Sequence, residues 1–245
     1  MNFSGPRHLG NHSSAFARYS LLVTLGFLGW GMVHRQIDYS LYLVTDRGLS
    51  RGRATLDIVG AAVRGGVTCV QLREKTCSTR EFIAEALAIR ECLKSRGIPL
   101  IINDRVDVAL ATGADGVHLG QSDMPLTMAR SILGKSKIIG VSAESLRDAA
   151  EAEAEGADYL GISPIFATAT KTDTAAPLGL EGLRAIRRAV KLPLIAIGGL
   201  GPNNAAEVIA SGADGVAVVS AIVAAADPEL AAGEMARQIA QARRT

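Results

Sequence analysis

A short apolar run ends at residues 71–75 in a stretch with two cations: Gln71, Leu72, Arg73, Glu74 and Lys75. Side chains alternate across an extended strand, so Gln71, Arg73 and Lys75 are expected on one face. Leu72 and Glu74 then share the opposite face. Two cations on one face suit a polyanion, whereas a charge run after a strand is often only a solvated loop. The rest of the chain must distinguish these two interpretations.

Two carboxylates follow successive apolar runs further along the chain. Asp104 comes after Leu100–Ile102, and Asp123 comes after Gly116–Leu119. If the two runs are neighbouring strands, both carboxylates lie at one rim and can share a hard cation such as Mg²⁺. Each aspartate could instead cap the helix that follows it. Their occurrence as a pair, beside two cations, favours the metal site.

A serine follows the next apolar run, and it is not needed as a helix cap. Ser142 comes directly after Ile138–Val141. Ser145, with Asp148 three residues later, is the better candidate to cap the next helix. Ser142 is therefore predicted to be available for a ligand.

A long segment between residues 163 and 178 shows little helical or strand pattern and contains Thr168, Ala169, Thr170 and Lys171. Loops of this length in a compact repeat are usually active-site lids or binding loops, although an exposed threonine-rich loop is the alternative. Lys171 is its only cation. Hydroxyls and one ammonium group are suited to binding phosphate.

Glycines and a small hydroxyl follow the last two apolar runs, at Gly198-Gly199 and at Val219-Ser220. Such residues expose backbone N–H groups beside the starts of helices, an arrangement that binds phosphate. The glycines could be turn formers only, but their pairing with Ser220 favours phosphate. His118, in the fourth run, is more simply a structural histidine and receives no role.

These residues are positioned by a repeated pattern of short apolar runs and helical segments. Glycine phrases such as Gly113-Ala114-Asp115 indicate turns from helix to strand. The helical segments include Glu81–Arg96, Ser145–Glu155, Leu180–Val190 and Pro228–Arg244. The predicted strands are Leu41–Thr45, Thr68–Leu72, Leu100–Ile102, Gly116–Leu119, Ile138–Val141, Tyr159–Ile162, Leu194–Ile197 and Gly215–Val219.

Eight apolar strands alternating with helices predict an α/β fold, a single (β/α)8 TIM barrel. An open doubly wound sheet is the alternative, but no GxGxxG follows the first strand. Chemistry in these barrels lies at the carboxyl ends of the strands, where the residues above are found.

Composition limits the classes of partner. The chain has 245 residues, of which 48% are hydrophobic, 20% charged and 4% aromatic, with a net charge of +2. One domain of barrel size fits this length, and the near-neutral charge argues against nucleic-acid binding. Cys69, Cys77 and Cys92 lack CxxC spacing and read as reduced thiols, which predicts a cytoplasmic protein.

Residues 1–38 are predicted to be an N-terminal extension to a catalytic barrel at 39–245. Leu21–Val33 is apolar and follows Arg18, as in a signal peptide, but it is short for a membrane span, so no stable membrane insertion is expected. Translation starting near Met32 would make the preceding residues a mis-annotated start or a dispensable tail.

These motifs together resemble the thiamine-phosphate synthase family, over about residues 39–243. The resemblance rests on the sequence at nearly every strand end: residues 42–46, 71–75, 103–104, 118–123, 141–143, 168–171, 198–199 and 219–220. It implies a transferase of thiamine biosynthesis that joins 4-amino-5-hydroxymethyl-2-methylpyrimidine diphosphate to a thiazole phosphate or carboxythiazole phosphate. The products would be thiamine monophosphate and diphosphate.

The resemblance also assigns roles to residues. It implies one Mg²⁺ per subunit, bound by Asp104 and Asp123. The full implied catalytic set is Arg73, Lys75, Ser142 and Lys171. The implied pyrimidine-diphosphate site is Gln71, Leu72, Arg73, Glu74, Lys75, Asn103, Ser142 and Lys171. The implied thiazole-phosphate site is Thr168, Ala169, Thr170, Gly199, Val219 and Ser220.

Rival functions on the same barrel are a thiazole tautomerase and a noncatalytic regulator, neither of which needs a metal and diphosphate site. The presence of Arg73, Lys75, Asp104, Asp123 and Lys171 argues against both. A sugar-phosphate isomerase would require an acid and a base at carbon, and no isolated base stands out. The oligomeric state stays open, with a homo-oligomer among the outcomes.

Overall fold

Eight parallel strands close into a barrel in the computed structural model of the chain, with β1 hydrogen-bonded to β8. The structure describes Met1 and residues 37–168 and 176–244. The strands are β1 Leu41–Val44, β2 Cys69–Leu72, β3 Leu100–Asn103, β4 Gly116–Leu119, β5 Ile138–Ala143, β6 Tyr159–Ile162, β7 Leu194–Ala196 and β8 Gly215–Val218. The predicted barrel and its eight strands are confirmed.

Helices follow the strands around the outside of the barrel. In the described parts of the chain they are α1 Thr55–Arg64, α2 Thr79–Lys94, α3 Val106–Thr112, α4 Leu126–Leu133, α5 Leu146–Ala154, α6 Gly179–Ala189, α7 Ala205–Ala210, α8 Ser220–Val223 and α9 Pro228–Ala242. Helix α2 begins two residues before its predicted start because Ser78 and Glu81 form a capping box. Ser145 caps α5 as predicted, accepting the N–H of Asp148 at 3.1 Å.

The barrel has two apolar cores, one on each side of its sheet. Side chains from alternate strand positions, such as Tyr42 and Tyr159, fill the interior together with Ile101. The intervening positions, such as Leu41 and Leu43, pack outward against the helices. A sheet buried on both faces explains why the strands read as nearly continuous apolar runs.

The last residue of each repeated glycine motif forms hydrogen bonds with the first part of the preceding strand. Asp115 accepts the N–H of Leu100 at 2.9 Å and returns its own backbone N–H to the Leu100 carbonyl at 2.9 Å. The same two-bond contact, here called a strand clamp, joins β1–β2, β3–β4, β5–β6 and β7–β8 in the described residues. The clamping pairs are Thr68 with Leu41, Asp115 with Leu100, Asp158 with Ile139 and Asp214 with Leu194.

The barrel belongs to the unit Ile37–Thr245. The predicted extension at 1–38 lies almost wholly outside the described residues, as does Lys171 in the loop after β6, so both remain predictions. Within residues 37–168 and 176–244, no helix combines the length and the apolar character needed to cross a membrane.

Candidate active site

A cavity of about 1000 Å³ opens at the carboxyl ends of the strands. Many of the predicted site residues line it: Gln71, Arg73, Lys75, Asn103, Asp104, Asp123, Ser142, Thr168, Gly199, Val219 and Ser220. Leu72 and Glu74 do not. Ala169, Thr170 and Lys171 lie outside the described residues. The barrel therefore brings residues from distant parts of the sequence to one rim, as its topology requires.

The end of β2 presents its cations to the cavity, as strand alternation predicts. Arg73 donates from Nη1 to Asp46 Oδ2 at 2.8 Å, and its backbone N–H donates to Thr45 Oγ1 at 3.0 Å. The loop after β1 thus holds the guanidinium in place. About a quarter of the Arg73 side chain is exposed, so the group is held and still accessible to a ligand.

Leu72 and Glu74 face away from the cavity. Leu72 is fully buried in the outer core. Glu74 Oε2 accepts from Arg47 Nε at 3.1 Å, while burial raises the pKa of its carboxyl and the nearby Glu85 adds to the shift. The carboxylate of the 71–75 stretch is therefore turned away from its cations, which leaves positive charge on the cavity side.

The two rim aspartates are not helix caps. Arg105 and Pro125 are the N-cap residues of α3 and α4, and neither helix has a side-chain cap. Asp104 Oδ2 instead accepts from Lys75 Nζ at 2.5 Å, and Asp123 Oδ2 accepts the N–H of Gly120 at 2.6 Å. The alternative interpretation of both residues as caps is wrong.

The electrostatics of this carboxylate pair suit a hard cation. Burial raises the pKa of Asp123, and a hydrogen bond with Asp104 raises it further. A divalent cation would relieve the repulsion between the two groups. The described residues contain no cluster of three or more His, Cys, Asp or Glu side chains placed to hold a metal. Mg²⁺ bound here would have to complete its shell with substrate oxygens and water, as is usual for this ion.

The side-chain amide of Asn103 is a hydrogen-bond donor that faces the cavity without an acceptor. It is buried at the end of β3, and its Nδ2 has no hydrogen-bond partner. A buried unsatisfied amide costs about 1–3 kcal/mol, which a ligand oxygen could recover. Asn103 lines the same cavity as Arg73 and Lys75, so the three groups form a donor-rich wall.

The opposite wall is built from backbone. Gly198 and Gly199 have φ of 102° and 65°, and a Cβ at Gly199 would lie 2.7 Å from the Ala167 carbonyl oxygen. Asn204 fixes this loop by accepting the N–H of Gly201 at 2.9 Å and donating to the Gly199 carbonyl at 3.0 Å. These glycines permit a close approach that any other residue would block.

Sequence reasoning missed a polar network beneath the cavity, and it gave His118 no role. The imidazole lies between Ser142 Oγ, at 2.9 Å from Nε2, and the Tyr159 hydroxyl, at 3.0 Å from Nδ1. Tyr159 also meets Tyr42, hydroxyl to hydroxyl, at 2.8 Å. Strand alternation is consistent with His118 facing inward, but only the closed barrel shows which groups it contacts.

Comparison with known proteins gives one consistent family. The sequence model described as "Thiamine monophosphate synthase" matches residues 41–222. A thiamine-phosphate synthase from Chloroflexus aurantiacus is 57% identical over 199 residues, covering 81% of this chain and 92% of that protein. One from Albidiferax ferrireducens is 62% identical over 192 residues, covering 78% of this chain and 88% of that protein.

A solved structure agrees with these sequence relatives. Thiamine phosphate pyrophosphorylase from Pyrococcus furiosus is 41% identical, with a TM-score of 0.78, covering 84% of this chain and 98% of that one. The chain belongs to the thiamine monophosphate synthase family.

Proposed function

We propose that this protein condenses 4-amino-5-hydroxymethyl-2-methylpyrimidine diphosphate with thiazole phosphate to give thiamine monophosphate and diphosphate. With the carboxylated thiazole phosphate, the carboxyl group leaves as CO₂ in addition. The observation that carries the proposal is one cavity with two chemically different walls, in a chain of this family. One wall has Arg73, Lys75 and Asn103, which are donors for a diphosphate. The other has the glycine loop and Ser220, which suit a single phosphate.

The donor-rich wall of Arg73, Lys75 and Asn103 is suited to stabilising a diphosphate leaving group. Arg73 is held by Asp46, and Lys75 by Asp104, so neither cation has to reorganise far when negative charge develops on the departing diphosphate. Lys171, from the loop after β6, adds a third cation in this proposal. Mg²⁺ bound by Asp104 and Asp123 would neutralise further charge on the diphosphate oxygens.

The reaction itself needs no protein nucleophile. The C–O bond to diphosphate breaks first and leaves a pyrimidine-methyl cation that its amino-substituted ring stabilises. The thiazole nitrogen then donates its electron pair to that carbon in a dissociative substitution. The protein holds the two substrates in line within one cavity, which is where most of its contribution arises.

The thiazole phosphate is proposed to lie against the opposite wall. Its oxygens would accept from backbone N–H groups at Gly199 and Val219 and from the hydroxyl of Ser220. Thr168, Ala169 and Thr170 of the loop after β6 are included in this proposed site. The two hydrogen bonds of Asn204 to the glycine loop support this proposal, because they fix the conformation of the loop.

A cytoplasmic location is part of the proposal, and the cysteines and the charge of the substrates support it. The three cysteines Cys69, Cys77 and Cys92 are free thiols, as expected in a reducing compartment. Phosphorylated substrates of this kind are also retained inside cells by their charge.

The deciding assay mixes the two phosphorylated substrates with purified protein, with and without Mg²⁺, and follows thiamine monophosphate by chromatography. We expect product only when Mg²⁺ is present. Folded protein that yields no product under any condition would contradict the proposal and favour a thiazole tautomerase or a noncatalytic regulator. Product formed equally well after chelation would remove Mg²⁺ from the mechanism and leave the condensation intact.

A further inference from the structure

Five polar side chains lie in series across the inner end of the cavity. Gln71 Nε2 donates to the Tyr42 hydroxyl at 3.1 Å, and Tyr42 meets Tyr159 at 2.8 Å. The Tyr159 hydroxyl meets His118 Nδ1 at 3.0 Å, and His118 Nε2 meets Ser142 Oγ at 2.9 Å. This series, here called the inner relay, joins β2 to β5 through β1, β6 and β4.

With Gln71 Nε2 facing the Tyr42 hydroxyl, one direction follows for every hydrogen bond in the inner relay. An NH₂ group can only donate, so Tyr42 accepts from it and gives its own proton to Tyr159. Tyr159 then donates to Nδ1 of His118. A neutral imidazole with Nδ1 as acceptor carries its proton on Nε2 and donates it to Ser142 Oγ. The proton of Ser142 is consequently left to point elsewhere.

The barrel makes room for this arrangement. A Cβ at Gly140 would lie 2.0 Å from Tyr159 Cζ, and one at Gly161 would lie 2.9 Å from His118 Cε1. Burial raises the pKa of Tyr42 and Tyr159, so both hydroxyls stay protonated and able to donate. The space left by these two glycines and the protonated phenols thus allow one continuous series of hydrogen bonds from Gln71 on β2 to Ser142 on β5.

We propose that Tyr159 and His118 are positioning residues that act through Ser142: the inner relay turns the Ser142 hydroxyl proton toward the diphosphate. This inference rests on the proposed function. In this proposal the aminopyrimidine contacts Gln71 and the diphosphate contacts Ser142, so the inner relay couples the two ends of one substrate.

The coupling follows from the two ways the Gln71 amide can face. With Nε2 on Tyr42, Oε1 remains as an acceptor for the amino group of the pyrimidine. With the amide reversed, Oε1 would accept from Tyr42, every bond of the relay would reverse, and Ser142 would give its proton to His118. A bound aminopyrimidine therefore selects the direction in which Ser142 can donate to the leaving group.

A double-mutant cycle tests this inference. Tyr159→Phe keeps the ring and removes the hydroxyl, and we expect it to lower kcat about tenfold, the value of one hydrogen bond to a developing charge. The KM for thiazole phosphate should stay unchanged. In a Ser142→Ala background the same substitution should cause little further loss, because the relay then has nothing to orient.

A matched control removes another buried phenol nearby. The ring of Tyr39 packs 4.9 Å from that of Tyr159, yet none of the relay bonds involves its hydroxyl. Tyr39→Phe should leave kcat unchanged. If Tyr159→Phe fails to fold, His118 provides the second test: His118→Gln keeps an amide donor for Ser142 and should retain several-fold more activity than His118→Leu.

The outcomes separate the inference from the function on which it rests. Wild-type protein that forms no thiamine monophosphate would defeat the proposed function itself. Active wild type in which Tyr159→Phe costs the same factor with and without Ser142 would overturn the relay alone. So would equal activities of His118→Gln and His118→Leu.

Discussion

At the scale of single residues, two cations of the candidate site form ion pairs with neighbouring aspartates. Arg73 is fixed by Asp46, and Lys75 lies on Asp104. In the proposed function, such pairing would lower the reorganisation needed when the diphosphate departs. It also means that a substitution at the site affects a partner as well as the ligand.

Arg73→Ala should lower kcat about 10²- to 10³-fold, since it removes a fixed charge from the proposed leaving-group site. Steady-state kinetics with both substrates measures this. Arg147→Ala is the control, because within the described residues Arg147 has one ion pair, the exposed i,i+4 pair with Glu151 on α5. Comparable losses in the two variants would show that the effect is not specific to the site.

Asp104→Ala should raise the Mg²⁺ concentration needed for half-maximal rate by about tenfold or more, because one of two carboxylates is lost. Titration of activity with Mg²⁺ gives that value. The variant also frees Lys75 from its ion pair, so a fall in rate at saturating Mg²⁺ is compatible with the prediction. An unchanged Mg²⁺ requirement would exclude Asp104 as a ligand.

Glu74 should make stability depend on pH. Burial raises its pKa in the folded protein above the usual value of 4.5, so the folded state binds this proton more tightly than the unfolded state. The stabilisation of the folded state by the Glu74 proton is therefore greatest below about pH 4.5. It is lost as pH rises through the raised pKa of Glu74. Urea unfolding at several pH values should show a smaller loss over this range in Glu74→Gln. Identical pH profiles would contradict the assignment.

At the scale of elements, the strand clamps explain why the glycine phrases recur. Each clamp ties the beginning of one strand to the residue just before the next, so the barrel is assembled from four clamped strand pairs. The sequence pattern indicated turns from helix to strand. It gave no reason for the aspartates, because their partners lie 15 to 20 residues earlier.

Asp115→Ala should reduce the free energy of unfolding by about 1–3 kcal/mol, since the N–H of Leu100 loses its acceptor. Asp115→Asn keeps an acceptor oxygen and should lose less. Urea denaturation provides both values, and kcat should be unchanged in either variant that stays folded. Equal destabilisation by Ala and Asn would show that the hydrogen bond is not the cause.

Element boundaries mark the limit of local reasoning. The fifth strand was expected to end at Val141, but it continues to Ala143 because Ser142 and Ala143 pair with Gly161 and Ile162 of β6. Periodicity and caps predicted the barrel and most of the cavity wall. The inner relay could not be predicted, because Tyr42 and Tyr159 are 117 positions apart and meet only when the barrel closes.

At the scale of the whole molecule, the family match begins at residue 41, at the first strand of the barrel. The predicted extension therefore precedes every element that lines the cavity. A chain that starts at Met32 should keep the kcat and the thermal unfolding midpoint of the full chain within error. A marked loss of either would assign the first 31 residues a role in folding or catalysis.

The strand clamps also affect the alignment of each strand with its neighbour. A strand that slips by one position turns its whole interior set of side chains outward. In β5 such a slip would turn Val141 into the cavity and remove Ser142 from it, and the clamp between Asp158 and Ile139 stabilises the observed alignment. The Asp158 carboxylate lies at the end of the barrel opposite the cavity. It thus helps to determine which side chains of β5 face the cavity.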